Sequence, residues 1–536
     1  MPTTRRKFWG WGPEGDVLSS GEVRWLEGRW ARQFGVSQFE YTPPPTENEI
    51  HLRPPRLSAP ASLLPICTTE QYERLFHSYG YSFLDSVRIF ARDFSHPPDV
   101  IAYPRNAQDI VNLLDWCNDA GAAVIPFGGG TSVVGGIEPP AGYPAVVTID
   151  MRHMNQVLEV DPVSQTALIQ AGASGAELER QLKPSGLTLR FFPQSFEYST
   201  LGGWIATRAG GHFATLYTHI DDLVESLQAV TPIGIMESRR LPASGAGPNP
   251  DRMWLGSEGI LGIVTQAWVR VGKRPTFRAA LPVQFADFFR AVEAVRAISQ
   301  AGLYPANCRL LDPLEASING AGDGTHAVLV LTFESADHPL DAWLKRALEL
   351  CADFGGEFNA DTAQQQDAHR SGAAGQWRER FLRMPWYREE LTARGIISDT
   401  FETAITWERF PALYTAAKEA TALAIQEATG RPGSVSCRFT HIYPDGPAAY
   451  FTFGGLGHKS ALAEQFWTIK KAASAAVMQA GGTITHHHAV GRNHRQWYDQ
   501  ERPAIFATAL GAVKSTLDPH WLLNPGVLLD PPAMPM

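Results

Sequence analysis

The stretch Pro126-Phe127-Gly128-Gly129-Gly130-Thr131-Ser132 directly follows the short apolar run 122–127. Consecutive glycines let the backbone turn with its N–H groups pointing inward, and the absence of side chains admits a phosphate close to the main chain. The pattern is not a dinucleotide-binding fingerprint, because Val133 stands where the third glycine belongs, and it is not a nucleotide-triphosphate loop, because no Gly-Lys-Ser/Thr follows. Taken alone, the run fits a plain tight turn as well as a phosphate-binding loop.

Two later segments are also rich in glycine and small polar residues. Small residues let a backbone lie flat against a planar ligand, although an ordinary loop has the same composition. The candidate ligand-binding residues of the first segment are Gln194, Ser195, Ser199, Thr200, Gly202, Gly203 and Thr207. Those of the second segment, where a loop meets an apolar strand, are Glu258, Ile260, Gly262, Ile263 and Val264.

The hydrophobic pattern around these motifs predicts short strands and helices. Asn106 is a helix N-cap followed by apolar residues at helical spacing, and Gly121 ends that helix. Ser174 with Glu177 three residues later predicts a second helix that begins with a capping box. Strands are predicted at 122–127, 145–149, 157–160, 166–171 and 261–271.

A second α/β region begins near residue 276. The predicted strands are 281–285, 308–311, 327–333, 434–442 and 448–453, and the predicted helices are 286–300, 339–354 and 460–479. Two such halves predict a mixed sheet with helices on one face.

Composition limits the class of protein. The 536 residues carry 46 Lys+Arg against 55 Asp+Glu, a net charge of −9, which excludes a nucleic-acid binder with a generally basic face. A hydrophobic content of 44% supports several cores and excludes whole-chain disorder. Five scattered cysteines suit a reducing compartment. No secretory signal, peroxisomal signal or bilayer-spanning run is visible, so we expect a cytoplasmic protein, with peripheral membrane contact left open.

A further group of candidate residues lies towards the C-terminus. His486, His487 and His488 titrate near neutral pH and can relay protons, although such runs also occur on surface loops. Adjacent residues of an extended chain point to opposite faces, so at most two of the three can share one metal ion. Tyr450 lies in an apolar strand, where a packed core tyrosine is the usual alternative. By spacing alone, Arg388 is a surface ion-pair partner.

Together and in this order, the three segments resemble the FAD-binding domain of the vanillyl-alcohol oxidase and para-cresol methylhydroxylase family. The resemblance covers about residues 98–273. It implies that FAD is the cofactor, that residues 126–132 hold its pyrophosphate, and that the two later segments line its ribityl chain and adenine.

Nearly the whole chain, from about Trp9 to Pro525, resembles the alkyldihydroxyacetonephosphate synthase family. In that family the residues matching Tyr450, Arg388 and the triple histidine surround the flavin ring. The matching stretches also include the N-terminal Trp-Gly-Trp-Gly at 9–12, and 126–132, 177–182, 196–200, 222–232 and 400–403.

The same superfamily contains oxidases of 2-hydroxy acids, which carry a metal-binding His-x-Gly-Asp-Gly-Asn-x-His turn and a Glu-His-Gly. Here the turn that begins at His441 lacks the second histidine, and His487-His488-Ala489 lacks the carboxylate. A divalent cation needs several fixed donors, so we expect no metal site. Gln194 and Ile260 replace the usual Asp and Thr of the synthases. Residues 355–384 match least, where a lipid tunnel or lid is expected.

The resemblance implies an exchange reaction without net oxidation. The acyl ester of acyl-dihydroxyacetone phosphate is replaced by a fatty-alcohol ether through an adduct at flavin N5, as in ether-lipid synthesis. Tyr450 is then the acid/base, with a pKa lowered by cationic neighbours, and the histidines relay protons. Arg388 pairs with the phosphate or the departing carboxylate. The alternative is an FAD-linked oxidase or dehydrogenase of a 2-hydroxy acid or alcohol.

The expected fold class is therefore α+β, with a two-subdomain FAD-binding domain and an α/β cap domain that contains a mixed sheet. The expected segments are an N-terminal wrapping segment (1–90), the FAD-binding domain (91–275), the cap (276–490) and a C-terminal segment that returns to the FAD-binding domain (491–536). The expected partner is a lipid-like small molecule and not nucleic acid, and a homodimer stays open.

Overall fold

The computed structural model describes residues 5–359 and 384–531. The chain divides into two compact units. Unit 1 comprises 1–44, 212–218 and 275–486, and unit 2 comprises 45–211, 219–274 and 487–536. The four domain segments expected from the sequence stay a prediction. Most of the stretch 355–384, which matches the synthase family least, lies outside the described residues.

Helices and strands alternate along the whole described chain. The helices are α1 Ser20–Phe34, α2 Gln71–Phe76, α3 Phe83–Phe90, α4 Ala107–Ala120, α5 Gly175–Leu182, α6 Leu201–Thr207, α7 Phe288–Gln300, α8 Pro313–Ile318, α9 Asp341–Asp353, α10 384–393, α11 Phe410–Thr429, α12 Leu462–Ala480, α13 Arg495–Glu501 and α14 Ala504–Leu517. The strands are β1 Cys67–Thr68, β2 Val100–Ala102, β3 Ala123–Phe127, β4 Val146–Asp150, β5 Val157–Asp161, β6 Thr166–Gln170, β7 Leu187–Thr188, β8 Val224–Thr231, β9 Gly234–Glu237, β10 Ile263–Arg270, β11 Gly272–Lys273, β12 Phe277–Phe285, β13 Asn307–Leu311, β14 Ala327–Ser335, β15 Ile396–Ala404, β16 Ser434–Ile442 and β17 Pro447–Leu456.

Unit 2 begins with a four-stranded mixed sheet in the order β1-β2-β4-β3. The strands β2 and β3 both run parallel to β4, because α4 carries the chain across the sheet between them. As predicted, the Asn106 side chain accepts from the Asp109 N–H at 2.9 Å and caps α4, and Gly121 ends this helix at φ 59°. The glycine-rich stretch 128–132 therefore follows the carboxyl end of a buried parallel strand.

A second sheet of unit 2 has the order β5-β6-β10-β8-β9 and is antiparallel. Its core includes the fully buried rings of Trp204 and Trp254. The predicted strands at 157–160, 166–171 and 261–271 are confirmed with small shifts in their ends. The sequence pattern missed β8 and β9, and it treated α6 as a loop.

Unit 1 contains a six-stranded sheet in the order β12-β14-β13-β16-β17-β15. In the first half of this sheet, β12 is the outer strand, α7 leads to the inner strand β13, and β14 returns between them. In the second half, β15 is the outer strand, α11 leads to the inner strand β16, and β17 returns between them. The described pairings are consequently all antiparallel, including the central pair β13 and β16.

The fold class predicted from the sequence is confirmed, with one difference in this sheet. The sequence predicted a mixed sheet here, but the described pairings are antiparallel because β14 and β17 each enter between the strands that a crossover helix connects, as in a split β-α-β unit. The mixed sheet of this chain is instead the four-stranded sheet of unit 2. Among the described residues, no helix combines the length and apolar character needed to cross a bilayer.

Candidate active site

The glycine-rich loop of unit 2 has the geometry of an anion-binding turn. Gly130 adopts a φ of 72°, and within the described ranges no acceptor is assigned to the N–H groups of Gly130, Thr131 and Ser132. Successive amide donors beside a left-handed glycine form a concave nest for negative charge. A Cβ atom at Gly129 would overlap the carbonyl oxygen of Tyr198, so this loop packs closely on the next segment. The loop therefore fits the pyrophosphate of FAD.

The second predicted segment continues from this contact into α6. Gln194 and Ser195 lie in a turn, and Gly202, Gly203 and Thr207 lie within the helix. Thr200 is the N-cap, and its Oγ1 accepts from the Gly203 N–H at 3.3 Å. Ser199 is buried, and its Oγ accepts from Trp204 Nε1 at 2.7 Å. These hydroxyls thus hold the segment together, and their role as FAD ligands stays a prediction.

The third predicted segment is organised by Glu258. Its two carboxylate oxygens accept from the N–H groups of Val490 and Gly491, each at 2.8 Å. Burial raises the pKa of Glu258 to about 7, against the lowering effect of these two hydrogen bonds. Ile260 is buried, and its carbonyl accepts from Lys514 Nζ at 2.6 Å. Glu258 therefore fixes the chain just after the histidine run.

The end of this segment leads into the antiparallel sheet. A Cβ atom at Gly262 would lie 2.7 Å from the carbonyl oxygen of Val230. Ile263 and Val264 are buried and begin β10. A side chain at position 262 would separate the two strands, so the glycine here serves the close packing of the sheet.

In unit 1, Tyr450 lies on β17 between two polar neighbours. It stands opposite Glu402 of β15 and opposite Arg438 of β16. Its hydroxyl donates to Thr400 Oγ1 at 3.0 Å, and the Arg438 guanidinium lies 4.0 Å from the centre of its ring. Arg438 itself pairs with the buried Glu315 at 2.5 Å.

Burial raises the pKa of Tyr450, although Arg438 and the hydrogen bond to Thr400 act to lower it. The expectation of a net lowering of this pKa by cationic neighbours is therefore wrong. The physical reason is that the phenol is buried, with 8% of its surface exposed, and the loss of water outweighs the attraction of the guanidinium. Tyr450 is thus a proton-carrying phenol at neutral pH.

Arg388 lies on α10, and its Nη2 is 3.7 Å from Asp399 Oδ1 of β15. Asp399 also lies 3.9 Å from Nζ of the buried Lys470, whose pKa is lowered chiefly by burial. Only 21% of the Arg388 side chain is exposed, so the surface ion pair favoured by spacing alone is replaced by a largely enclosed one. The segment 399–402 of β15 thus contains a partner of each residue, Asp399 for Arg388 and Thr400 for Tyr450.

His486 ends the same unit and is also held by β15. Its backbone N–H donates to Glu402 Oε2 at 2.5 Å, and its Nε2 is 2.7 Å from the Tyr443 hydroxyl. The ring centres of His486 and His441 are 4.9 Å apart. A β-bulge between Phe439 and His441 turns His441 to the face on which Tyr450 lies.

The boundary between the two units divides the histidine run. His486 belongs to unit 1, whereas His487 and His488 belong to unit 2. The rings of His487 and His488 pack edge to face with their centres 4.9 Å apart. The structure therefore brings Tyr450, Arg388 and His486 onto one framework. The catalytic role of all five predicted residues stays a prediction.

Several polar residues of unit 1 were not singled out from the sequence. Arg309 is buried beside His212, with Nη2 3.5 Å from Nδ1, and burial lowers its pKa to about 9. Glu402 carried a signal as part of the matching stretch 400–403, and Arg438 stands in a strand-like run, whereas nothing local in the sequence marks Asp399, Tyr443 and Lys470 as site residues. The other residues missed are Asp399, Arg438, Tyr443 and Lys470.

Comparison with protein families agrees with the two-part organisation. The family model described as "FAD binding domain" matches residues 98–238. The model described as "FAD linked oxidases, C-terminal domain" matches residues 274–528. The first match contains the glycine-rich loop and α6, and the second contains Arg388, Tyr450 and the histidine run.

Similar proteins extend the match to nearly the whole chain. An alkyldihydroxyacetonephosphate synthase of Dictyostelium discoideum is 30% identical, with 92% of this chain and 84% of that protein covered. An alkyldihydroxyacetonephosphate synthase of Trypanosoma brucei brucei is 29% identical, with coverages of 98% and 92%. A solved structure of an alkyldihydroxyacetonephosphate synthase superposes with a TM-score of 0.80 at 25% identity, covering 97% of this chain and 98% of that one.

Proposed function

This chain belongs to the alkyldihydroxyacetonephosphate synthase family, and from that membership we propose that it exchanges the acyl chain of acyl-dihydroxyacetone phosphate for a fatty alcohol. The ester C–O bond at C1 breaks, the fatty carboxylate leaves, and the alcohol oxygen forms the new bond to C1 while its proton is released. Atoms and electrons balance without an external oxidant. FAD is the cofactor, as the family match and the anion-binding loop indicate.

Bound FAD supplies an electrophilic ring that accepts electron density from the substrate carbon. The protein supplies the protons and the charges. Since the pKa of Tyr450 is raised, its Oη keeps its proton at neutral pH and can donate a hydrogen bond to a substrate group on which negative charge develops. This environment of Tyr450, a buried phenol kept protonated beside Arg438, is the observation that carries the proposal.

The exchange also needs a base that takes a proton from C1 and an acid that returns a proton to C1 when the ether forms, and we assign the base to the histidine side of the cluster and not to Tyr450. The Tyr443 hydroxyl donates to Thr218 Oγ1 at 3.1 Å, so the Nε2–H of His486 donates to the Tyr443 oxygen. That tautomer puts the proton-accepting lone pair of His486 on Nδ1. A neutral imidazole in that tautomer can take up a proton at Nδ1.

Arg388 is the proposed ligand of an anionic substrate group. Its guanidinium is a planar fork that matches a phosphate or a carboxylate, and Asp399 at 3.7 Å orients it. A charge-assisted pair of this kind stabilises the departing fatty carboxylate as its negative charge develops.

The deciding experiment is anaerobic turnover of the FAD-loaded protein with acyl-dihydroxyacetone phosphate and hexadecanol. We expect release of fatty acid and formation of the ether while the flavin absorbance near 450 nm stays oxidised. A parallel sample receives D-lactate without the other substrates. Bleaching by D-lactate together with no ether formation would overturn the proposal in favour of the hydroxy-acid dehydrogenase.

A cytoplasmic location with peripheral membrane contact also belongs to this proposal, and a homodimer stays open. A lipid-like substrate supports the membrane contact, as do Ile505 and Phe506 of α14, which are 86% and 52% exposed. Co-sedimentation with phosphatidylcholine vesicles tests it. Replacement of both residues by serine should abolish the binding, and unchanged binding of that variant would contradict a role for α14.

A further inference from the structure

The N-terminal Trp-Gly-Trp-Gly motif has no place in the chemistry proposed above, yet it forms an ordered loop. Arg6 and Pro13 form a β-bridge, and the Lys7 N–H donates to the Gly12 carbonyl at 2.9 Å. We call residues 6–13 the N-terminal loop. Lys7 and Trp11 are 2% and 5% exposed, so a charged side chain is buried within it.

The N-terminal loop holds the carboxylate of Glu389. Lys7 Nζ lies 3.1 Å from Glu389 Oε2, and the Trp11 N–H donates to Oε1. The Lys7 side chain is fully buried and that of Glu389 is 12% exposed. A buried lysine needs such a partner, because removal of one member of a buried pair leaves an uncompensated charge.

The two glycines of the motif make room for this contact. A Cβ atom at Gly10 would overlap the Glu389 carboxylate. Gly12 has a φ of 82°, and a Cβ atom there would lie 3.5 Å from the Trp386 ring. Trp11 packs edge to face on Trp386 with ring centres 6.3 Å apart. The motif is therefore complementary to one side of α10.

Arg388 lies on the same helix, one position before Glu389. Positions 386 and 389 are three residues apart and share a face of α10, on which the N-terminal loop packs. Arg388 projects from a different part of the helix and reaches Asp399 of β15. The rotation and height of α10 are thus fixed by Trp386 and Glu389, and they determine where the Arg388 guanidinium lies.

We propose that the N-terminal loop is a positioning device for the anion-binding arginine, in which Lys7 and Glu389 are positioning residues that hold α10 so that Arg388 meets the substrate. The proposal rests on the function proposed above and names what orients its arginine. It also gives a reason for Trp11 and for the two glycines of the motif.

The ionic state of the pair sets the assay conditions. Burial raises the pKa of Glu389 to about 7, with Lys7 and the Trp11 N–H lowering it and the neighbouring Glu390 raising it. The Glu389 carboxylate is therefore mostly charged at pH 8. The comparison of variants belongs at pH 8.

A double-mutant cycle at pH 8 tests the coupling, with Lys7→Met, Arg388→Met and the double variant in the FAD-loaded full chain. Lys7→Met should lower kcat/KM about tenfold, because a small shift of a positioned group costs one to two orders of magnitude. In the Arg388→Met background the same change should cost less than about twofold. Lys7→Arg, which keeps the ion pair, should restore activity to within about threefold.

A second lysine of unit 1 provides the matched control. Lys418 of α11 pairs with Asp312 at 2.8 Å, and Lys418→Met should be additive with Arg388→Met. Glu389→Gln repeats the cycle if Lys7→Met fails to fold. Equal losses from Lys7→Met with and without Arg388 would overturn the positioning role.

The same cycle can be measured with the Kd of dihydroxyacetone phosphate, determined by calorimetry, in place of kcat/KM. This measurement separates the proposal for the N-terminal loop from the proposed exchange reaction. Non-additive Kd values in a protein without exchange activity would support the loop and contradict the proposed reaction. Additive Kd values, or a wild-type protein that does not bind this phosphate, would overturn the role of the loop.

Discussion

Tyr450 shows how burial and charge compete at a single residue. From the sequence, a phenol beside cations was expected to have a lowered pKa, but the structure places it where burial has the larger effect. A stretch such as Ala448-Ala449-Tyr450-Phe451 indicates a buried strand, and so it does predict the burial. It does not predict that Arg438, whose charge Glu315 already compensates, would be the nearest cation.

Replacement of Tyr450 by phenylalanine removes the proton donor without changing the packing. We expect FAD content and its absorption spectrum to be unchanged, while exchange activity falls by about 100-fold or more. The measurement is single-turnover release of labelled fatty acid. The same substitution at Tyr498 in unit 2 is the control. Activity within about twofold of the unmodified enzyme would remove Tyr450 from the mechanism.

Glu258 links stability to pH in a defined direction. Its pKa rises from an ordinary 4.5 to about 7, so the folded protein binds more protons than the unfolded chain between those values. The free energy of unfolding must therefore fall as pH rises from 4.5 to 7, by up to about 3 kcal/mol from this residue. Glu258→Gln lacks this dependence.

The test compares thermal unfolding of the parent protein and Glu258→Gln at pH 5 and pH 8. At any pH, glutamine can accept only one of the two backbone hydrogen bonds that Glu258 accepts, so the variant differs in stability from the parent throughout. The informative quantity is how the difference in unfolding free energy between parent and variant changes with pH. The parent should lose stability relative to the variant as pH rises. A difference that is constant, or that changes in the opposite direction, would contradict this assignment.

At the level of elements, β15 organises the candidate site, and the sequence did not predict it as a strand. Its residues 398–403 are all polar except Phe401, so they lack the polar–apolar alternation that marks a half-buried strand. Four of these six residues are nonetheless buried, because polar partners such as Lys470 and Thr485 come from distant parts of the chain. A single-sequence pattern carries no information on partners about 70–80 positions away.

The helix caps, by contrast, were predictable because their signals are local. Asn106 and Ser174 both cap helices, since a side-chain oxygen and an N–H three residues later suffice, but the capping box predicted for Ser174 is not formed, and the Glu177 carboxylate pairs with Arg180 instead. Thr200 caps α6 by the same contact, but the glycines at 202 and 203 concealed the helix. Local chemistry thus predicted the starts of α4 and α5, whereas strand order depended on long-range pairing.

The contact between the glycine-rich loop and the segment before α6 can be broken by one methyl group. In Gly129→Ala the new Cβ atom would overlap the Tyr198 carbonyl, so the two segments must separate and the amide nest opens. We expect FAD to be lost on gel filtration, with a Kd raised at least about 100-fold, which corresponds to about 3 kcal/mol.

Gly511→Ala is the matched control in the same unit, because open space surrounds position 511 on α14. Alanine there should leave FAD binding unchanged and stabilise the helix by up to about 1 kcal/mol. Flavin fluorescence titration measures both variants. Normal FAD affinity in Gly129→Ala would show that the loop does not hold the cofactor.

For the whole molecule, all the predicted FAD ligands lie in unit 2. Ligand at 100 times its Kd stabilises the structure that binds it by about 2.7 kcal/mol. We therefore expect calorimetry of the apoprotein to show an unfolding transition that FAD shifts upward. A transition assigned to unit 1 should move little, and Lys418→Met, which weakens only unit 1, identifies it. Equal shifts of all transitions would show that FAD stabilises both units alike.

The chain passes between the two units after residues 44, 211, 218, 274 and 486, so each unit is assembled from three separate stretches. During synthesis on a ribosome, unit 1 lacks the end of its last stretch, which includes α12, until about residue 486 has emerged, and unit 2 waits for 487–536. Apolar surfaces of both units must then stay uncovered for most of translation, which is the condition under which nascent chains depend on chaperones. For the same reason, no single cut in the gene yields either half as a separate folding module.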